Sequence, residues 1–396
     1  MFKCSVIAMF LLGACVSDGK DGAPGAPGMN GTNGSNGTNG SDGAPGPGGP
    51  AGPELAPPGV YTLANAAAGN RVAAYLRGED GNLTRDNEFD TGGAGLGVGL
   101  HSQDGMVFDK ASQRFFAVNA GDNTISMLAI DSDGVMTKLA SVPSGGTRPI
   151  SIAVHGDAVY VLNYGDVATP TAVNGNITGF KIVGDSLVAI PGSTQPLSAA
   201  TDVNPTDLAF TPDGTVLLVA ELGTNKLDAF AVTADVAAPG NFQASSGSKP
   251  FSMAFSPEGY LLVSEVGDGT ATGSTASSYS VSPTGVLTPV TAHLATNQGA
   301  GCWIVSAGGF AYIANAASAT ITGLTVSTTG VLSQPTATPT GPGALDLAVS
   351  PDRGYLYSLA SGDHTIRIFD INSDGSLTAE PKLSGMPPAA SGLVAR

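Results

Sequence analysis

A sequence pattern repeats seven times between about residue 60 and the end of the chain. Each copy has an apolar strand that stops at a polar residue, then a tight turn, then another strand. The copies are YTLANAAAGNRV, FAVNAGDNTI, YVLNYGDVATPTAVNGNITGF, LLVAELGTNKL, LLVSEVGDG, AYIANAASATI and YSLASGDHTI. A period of about 40–50 residues built from short strands is typical of a β-propeller with one four-stranded blade per repeat. We therefore predict an all-β fold, a seven-bladed β-propeller over residues 59–396.

Short apolar strands precede the repeated segments and give each blade its first strand. They are GMVF at 105–108, SIAV at 151–154, DLAF at 207–210, SMAF at 252–255, WIVS at 303–306 and DLAV at 346–349. The first repeat lacks such a strand, and residues 391–395 at the other end of the sequence supply one. We expect this segment to close the ring beside Tyr61–Asn65, since closure removes exposed sheet edges.

The first fourteen residues are typical of a signal peptide. Lys3 is followed by a short apolar run, residues 5–12, that is too short to span a bilayer. The sequence Leu12-Gly13-Ala14-Cys15 resembles the lipobox of bacterial lipoproteins. We expect cleavage after residue 14 and lipidation of Cys15, an anchor to the membrane; an ordinary signal peptide with an incidental Cys is the alternative. Val16 is not an Asp, so the outer membrane or cell surface is the expected location of this exported chain.

Residues 15–58 form a spacer between anchor and propeller. From Gly19 to Gly52 every third residue is Gly, a strict period that suits a collagen triple helix, where only Gly fits at the axis. The centre of this stalk is rich in Thr, Ser and Asn and poor in Pro, so a disordered Gly-rich linker is the alternative. A triple helix would make the protein a homotrimer.

Composition excludes several classes of partner and chemistry. The formal net charge is −16, which argues against nucleic acid as a partner. The Asp-rich turn at residues 131–134 lacks the further oxygen ligands of a calcium loop. Cys302 lies in an apolar strand without a neighbouring base or cation, so we expect an inert buried thiol. We expect no metal and no cofactor.

Candidate binding residues flank the first strands, because propellers usually bind ligands at one mouth of the central channel. Arg148 and Lys249 both precede a Pro, and two cations at one pore suit a carboxylate or a phosphate. Solvation of a loop surface is the alternative interpretation for both. The candidates for ligand binding are Gln103, Asp104, Thr206, Asp207, Lys249, Trp303 and Asp346.

Several motifs resemble the lactonase-type seven-bladed propellers, which include 6-phosphogluconolactonases and carboxymuconate cyclases. The resemblance covers nearly all of residues 59–396. It is carried by TGGAGLG at 91–97, NAG at 119–121, RPISI at 148–152, GST at 192–194, KPF at 249–251 with SE at 264–265, SSY at 277–279, CW at 302–303 and LDL at 345–347.

The resemblance implies a small anionic lactone as substrate and catalysis by His, Arg and Glu around the pore. The matching catalytic candidates are Arg148, Glu221, Glu265 and His101. Active members typically carry a Pro-His pair at an inner strand, and the corresponding pairs here are Pro205-Thr206 and Pro250-Phe251. The proton-transfer role that hydrolysis requires therefore has no clear occupant.

Two functions fit the sequence. The first is a surface-anchored lipoprotein whose propeller binds a small anionic molecule, a glycan or a protein at the channel mouth. The anchor and the stalk favour it, because cytosolic sugar-lactone metabolism needs neither. The second is an exported lactone hydrolase or cyclase. A purely structural role, with the stalk assembling trimers, is a third interpretation.

Overall fold

The computed structural model describes residues 56–166 and 174–396, and within them every regular element is a β-strand. In chain order the strands of the first half are β1 (Gly59–Leu63), β2 (Arg71–Arg77), β3 (Leu83–Asp90), β4 (Met106–Asp109), β5 (Arg114–Asn119), β6 (Thr124–Ile130), β7 (Met136–Pro143), β8 (Pro149–His155), β9 (Ala158–Asn163), β10 (Asn176–Val183), β11 (Ser186–Ala189), β12 (Gln195–Pro196), β13 (Pro205–Phe210), β14 (Val216–Glu221) and β15 (Lys226–Thr233). Those of the second half are β16 (Val236–Ala237), β17 (Asn241–Ala244), β18 (Pro250–Phe255), β19 (Leu261–Glu265), β20 (Thr275–Val281), β21 (Leu287–Ala295), β22 (Gly301–Ala307), β23 (Phe310–Asn315), β24 (Thr320–Val326), β25 (Leu332–Pro339), β26 (Ala344–Val349), β27 (Tyr355–Ala360), β28 (Thr365–Ile371), β29 (Leu377–Ser384) and β30 (Ser391–Ala395).

The strands form seven antiparallel sheets, which confirms the predicted all-β seven-bladed propeller. Blade 1 has the order β30-β1-β2-β3, blade 2 is β4 to β7, and blades 5, 6 and 7 are β18 to β21, β22 to β25 and β26 to β29. Blade 3 is β8 to β12 and blade 4 is β13 to β17. In these two the outer strand is split into two short pieces that pair with the same neighbour.

Blade 1 combines strands from both ends of the described chain. Its innermost strand is β30, which pairs with β1 through Val60 opposite Ala395 and Tyr61 opposite Val394. The backbone of Arg396 extends the pairing, since its N–H donates to the carbonyl of Gly59 at 2.8 Å. This ladder pairs β1 on both sides and makes β30 the inner edge strand of the blade.

The core lies between the faces of neighbouring blades. One cluster joins Tyr61 and Leu63 of blade 1 to Phe115 of blade 2 and Val161 of blade 3, all of them buried. The outer strands carry many exposed residues, whereas the second strands are buried along nearly their whole length because they are covered on both faces.

Each inner strand begins at one end of the channel and ends at the other. We call the end where the inner strands begin the mouth, and the face where they end the far face. Among the described residues no helix is long and apolar enough to cross a membrane. The signal peptide, Cys15 and nearly all of the stalk lie outside the described residues.

Candidate functional site

A long connection between blades 1 and 2 enters the channel from its mouth. Residues 91–105 join β3 to β4, whereas residues 144–148 are enough to join β7 to β8. We call residues 99–104 of this connection the plug. His101 and Asp104 in the plug have positive φ values of 56° and 55°, a conformation that is uncommon for residues other than Gly.

Gln103 ties the plug to three other blades. Its backbone N–H donates to the carbonyl of Thr206 at 3.0 Å, and its Nε2 donates to the carbonyls of Ile304 and Met253 at 3.1 and 3.3 Å. Its Oε1 accepts a hydrogen bond from Ser252 Oγ at 2.7 Å. The side chain of Gln103 is buried, and its hydrogen bonds hold the plug across the lumen.

Trp303 covers the plug from the side of blade 6. Its indole Nε1 donates to the carbonyl of Ser102 at 3.0 Å, and its ring packs against Phe251 with centroids 4.9 Å apart. Both rings are buried. Thr206 also has a structural role, since its Oγ1 donates to the carbonyl of Phe251 in the next blade at 2.6 Å.

Hydrogen bonds between successive inner strands link blades 3, 4, 5 and 6 around the channel. Leu208 N–H donates to Ser151 Oγ at 3.1 Å, Met253 N–H to Asp207 Oδ2 at 2.7 Å, and Ile304 N–H to Ser252 Oγ at 2.8 Å. Each bond crosses from one blade to the next, so these polar side chains hold the ring together.

Asp104, Asp207 and Asp346 interact electrostatically inside the channel. Burial raises the pKa of Asp104 to about 7. Burial, and next the charge of Asp104, raise the pKa of Asp207 and Asp346 well above the usual value. The channel therefore favours protonated carboxyls. Within the described residues, no group of three or more His, Cys, Asp or Glu is arranged to hold a metal ion.

Arg148 and Lys249 occupy equivalent places at the mouth, immediately before the inner strands of blades 3 and 5. Their φ values are 58° and 60°, and each backbone N–H donates to an Asn side chain, Asn123 at 2.7 Å and Asn225 at 2.5 Å. The Arg148 guanidinium lies 4.3 Å from the ring centroid of Tyr164. Among the described residues neither cation forms an ion pair.

His101 lies exposed at the mouth and shares a small cavity with Trp303 and Asp346. The volume of this cavity is about 20 Å³, which is room for about one water molecule. Among the described residues, this cavity beside His101 is too small for a sugar lactone.

Glu221 and Glu265 end the second strands of blades 4 and 5, and their carboxylates are fully buried. Glu265 accepts hydrogen bonds from Ser245 Oγ at 3.0 Å, Gly247 N–H at 2.9 Å and Ser277 Oγ at 2.7 Å. Glu221 accepts from Ser198 N–H at 2.9 Å and from the hydroxyls of Ser198 and Thr224. These contacts brace the loops between blades.

The Asn residues at the same position in other blades make similar contacts. Asn119 Nδ2 donates to Ser126 Oγ at 2.8 Å, and Asn315 Nδ2 donates to Thr322 Oγ1 at 2.9 Å. Asn163 Nδ2 donates to the carbonyl of Ser144 at 3.2 Å in a preceding loop. The polar residue that ends each of these second strands is therefore part of the loop scaffold, whether it is Asn or Glu.

Asp228 places a second buried carboxyl beside one of these strand-ending residues. It stands in blade 4 at the place that Ser277 holds in blade 5 and faces Glu221. Burial, then a hydrogen bond to Glu221 and the charge of Glu221, raise the pKa of Asp228 to about 10. Asp228 is therefore protonated at neutral pH, an arrangement that sequence reasoning missed because Asp228 and Glu221 lie on different strands.

The structure thus separates the predicted site residues into three groups. Gln103, Asp104, Thr206, Asp207, Trp303 and Asp346 lie in the channel and the plug, Arg148, Lys249 and His101 lie at the mouth, and Glu221 and Glu265 lie in loop scaffolds. The one sequence signal for the plug was the length of residues 91–105.

Comparison with known proteins gives a family match and several similar folds. Residues 85–388 match the family model described as "Lactonase, 7-bladed beta-propeller". The chain matches none of the curated proteins.

Three solved structures illustrate the structural similarity. A Bacteroides fragilis protein assigned as a 6-phosphogluconolactonase is 19% identical, with a TM-score of 0.60 over 85% of this chain and 97% of its own. A Bacteroides uniformis protein with the same assignment is 18% identical, with a TM-score of 0.64 over 84% and 98%. The periplasmic gluconolactonase of Pseudomonas aeruginosa is 17% identical, with a TM-score of 0.64 over 84% and 98%. At these identities the similarity establishes the fold alone.

Proposed function

The chain belongs to the lactonase family of seven-bladed β-propellers, and on that premise we propose that it is a binding protein rather than a hydrolase. Its ligand carries a carboxylate, as a free sugar acid or as part of an acidic glycan, and binds across the channel mouth. The observation that carries the proposal is the matched pair Arg148 and Lys249, two cations without ion-pair partners among the described residues, held at equivalent backbone positions.

The backbone geometry at these two positions favours a role in recognition. A positive φ costs free energy in a residue other than Gly, and the hydrogen bonds to Asn123 and Asn225 stabilise it. Arg148 is further oriented by Tyr164, which reduces the entropy lost when the guanidinium binds an anion. Both cations belong to a chain with only 16 Lys and Arg residues.

The plug favours binding at the surface over chemistry in an enclosed pocket. Gln103 and Trp303 close the lumen beneath the mouth, and the cavity beside His101 has a volume of about 20 Å³. A ligand at this end of the channel therefore rests on the plug and remains partly exposed to solvent. An oligosaccharide end or the edge of a larger partner suits such a shallow surface.

The N-terminal segment adds a location to the proposal. We place the protein on the outer membrane or cell surface, exported and anchored by lipid at Cys15, with residues 15–58 as a spacer. If the stalk forms a triple helix, three propellers share one stalk and bind a multivalent glycan with increased avidity. Sedimentation of the full-length protein tests this point, and a monomer would contradict it.

Lactone hydrolysis is the second candidate, favoured by the family match and by His101 at the mouth. The fold similarity to a periplasmic gluconolactonase supports it in the same way. It requires the plug to move, because His101, Trp303 and Asp346 leave room for about one water molecule.

A binding screen tests the proposed function. The purified full-length protein is titrated with gluconate and with oligogalacturonate, and the double variant R148M/K249M is compared with the control K382M. Charge-assisted hydrogen bonds contribute about 1.5–3 kcal/mol each, so we expect the double variant to bind at least about tenfold more weakly. Equal affinity of the double variant and the wild type would contradict the proposal.

A further inference from the structure

A second cavity opens at the far face of the propeller, at the opposite end from Arg148 and Lys249. Its volume is about 610 Å³, within the range of ligand pockets. Arg77, Lys110 and Arg396 line it beside the ends of the inner strands of blades 1 and 2, and we call it the basic cavity. We propose that the basic cavity binds an organic anion, an acidic group joined to an apolar ring or chain.

The charge of the lining supports an anionic ligand. Among its described lining residues the cavity has three cationic side chains and no Asp or Glu. This is unusual in a chain with twice as many acidic as basic residues, 32 against 16. Asp352 accepts a hydrogen bond from Arg77 Nη1 at 2.8 Å and neutralises one of the three charges. An anion in the cavity therefore meets a net positive surface.

The two guanidinium groups are fixed and retain unused donors. Arg396 donates from Nη1 to the carbonyl of Ala56 at 2.7 Å and from Nη2 to Gln113 Oε1 at 2.8 Å. The Nε atoms of Arg77 and Arg396 are buried and have no hydrogen-bond partner within the described structure. A guanidinium has five N–H donors, so Arg77 and Arg396 keep other donors for an acidic group in the cavity.

The remaining lining is apolar and favours a ligand with more than a charged group. The half-buried ring of Phe108 lies beneath Arg396, whose guanidinium carbon is 5.2 Å from the ring centroid. Pro58 and Pro351 are exposed at the same cavity. Inorganic phosphate would use the cations and leave this apolar surface in water, whereas a ring or chain would bury it.

Fluorescence titration of the full-length protein tests the proposal. The probe is 8-anilinonaphthalene-1-sulfonate, whose emission rises in an apolar site, and its uncharged analogue N-phenyl-1-naphthylamine serves as the comparison. The side chain of Lys110 is exposed. Gln113 Nε2 donates to the backbone carbonyl of Lys110, and K110M keeps that carbonyl. We compare K110M with K138M, which removes an exposed Lys from β7 of the same blade.

We expect saturable binding of the sulfonate that K110M weakens by about tenfold, the worth of one charge-assisted hydrogen bond. K138M and R148M/K249M should bind it like the wild type, which separates this cavity from the mouth. Unchanged affinity in K110M, a loss in R148M/K249M, or equally tight binding of the uncharged analogue would overturn the proposal.

Discussion

At the scale of single residues, the buried carboxyls determine how this protein responds to pH. Asp104, Asp207, Asp228 and Asp346 all have raised pKa values in the folded state. A group of this kind stabilises the fold below its unfolded pKa of about 4, and that contribution is lost as the pH rises through the folded pKa. For Asp104 the loss lies between about pH 4 and about pH 7.

Asp228→Asn is predicted to stabilise the protein at neutral and alkaline pH. The folded pKa of Asp228 is about 10, so the wild type loses stability as the pH rises from about 4 towards that value. An amide can donate to Glu221 without taking up a proton, and we expect a gain of about 1–3 kcal/mol at pH 9. Urea unfolding of the wild type and of Asp228→Asn at pH 5 and pH 9 measures this gain in stability.

Asp213→Asn is the matched control for this prediction. Hydrogen bonds from Thr211 and then Thr215 lower the pKa of Asp213, so its stabilising contribution is present above about pH 4 and is lost as the pH falls. Asp213→Asn should therefore reduce stability at neutral pH. A loss of stability at pH 9 in Asp228→Asn would contradict the raised pKa of Asp228.

At the scale of strands and turns, hairpin glycines fix the spacing between blades. Hairpin turns with Asp-Gly or Thr-Gly pairs contain Gly residues with positive φ, including Gly375 at 81°. A Cβ on Gly375 would lie 2.3 Å from the ring of Phe310 in the preceding blade. This turn also accepts the hydroxyl of Tyr312, which donates to the carbonyl of Gly375 at 2.9 Å.

Gly375→Ala is predicted to lower the free energy of unfolding by more than the strain of a positive φ alone. The substitution adds the displacement of Phe310 to the strain of the backbone, and we expect a loss of about 2–4 kcal/mol. Gly184→Ala provides the comparison, because its φ is 58° with no atom within 4 Å of the added Cβ, and it should cost about 1 kcal/mol. Thermal unfolding of both variants measures the two losses of stability. Equal losses would show that the contact with Phe310 contributes nothing.

The sequence predicted these elements well because each blade repeats a local pattern. The short apolar strands, the tight turns between them and the strand at 391–395 could all be predicted from neighbouring residues. The plug could not, because Gln103 finds its partners at Met253 and Ile304, about 150 and 200 residues further along the chain. The structural role of Glu221 and Glu265 could not be predicted either, since both accept hydrogen bonds from loops between blades.

At the scale of the whole molecule, the two ends of the channel offer different surfaces. The mouth has two cations around a plugged lumen, and the far face has a basic cavity of about 610 Å³. A chain with a net charge of −16 therefore concentrates positive charge at two separate places. The proposed anchor and stalk would present both to the surroundings of the cell.

Cys15→Ser is predicted to release the protein from the membrane fraction of its host. A thioether-linked diacylglycerol needs the thiol of Cys15, and a signal peptide cleaved without lipidation leaves no stable anchor. Detergent phase partition of the wild type and of Cys302→Ser, which alters a buried thiol outside the lipobox, gives the comparison. Retention of Cys15→Ser in the detergent phase would contradict lipid anchoring.

We propose that the plugged channel makes this lactonase-family propeller a binding protein. The most direct measurement is the rate of D-glucono-1,5-lactone hydrolysis by the purified protein, followed by proton release and compared with the spontaneous rate. We expect no acceleration, because the plug leaves room for about one water beside His101. An acceleration that His101→Ala or Arg148→Ala abolishes would contradict it.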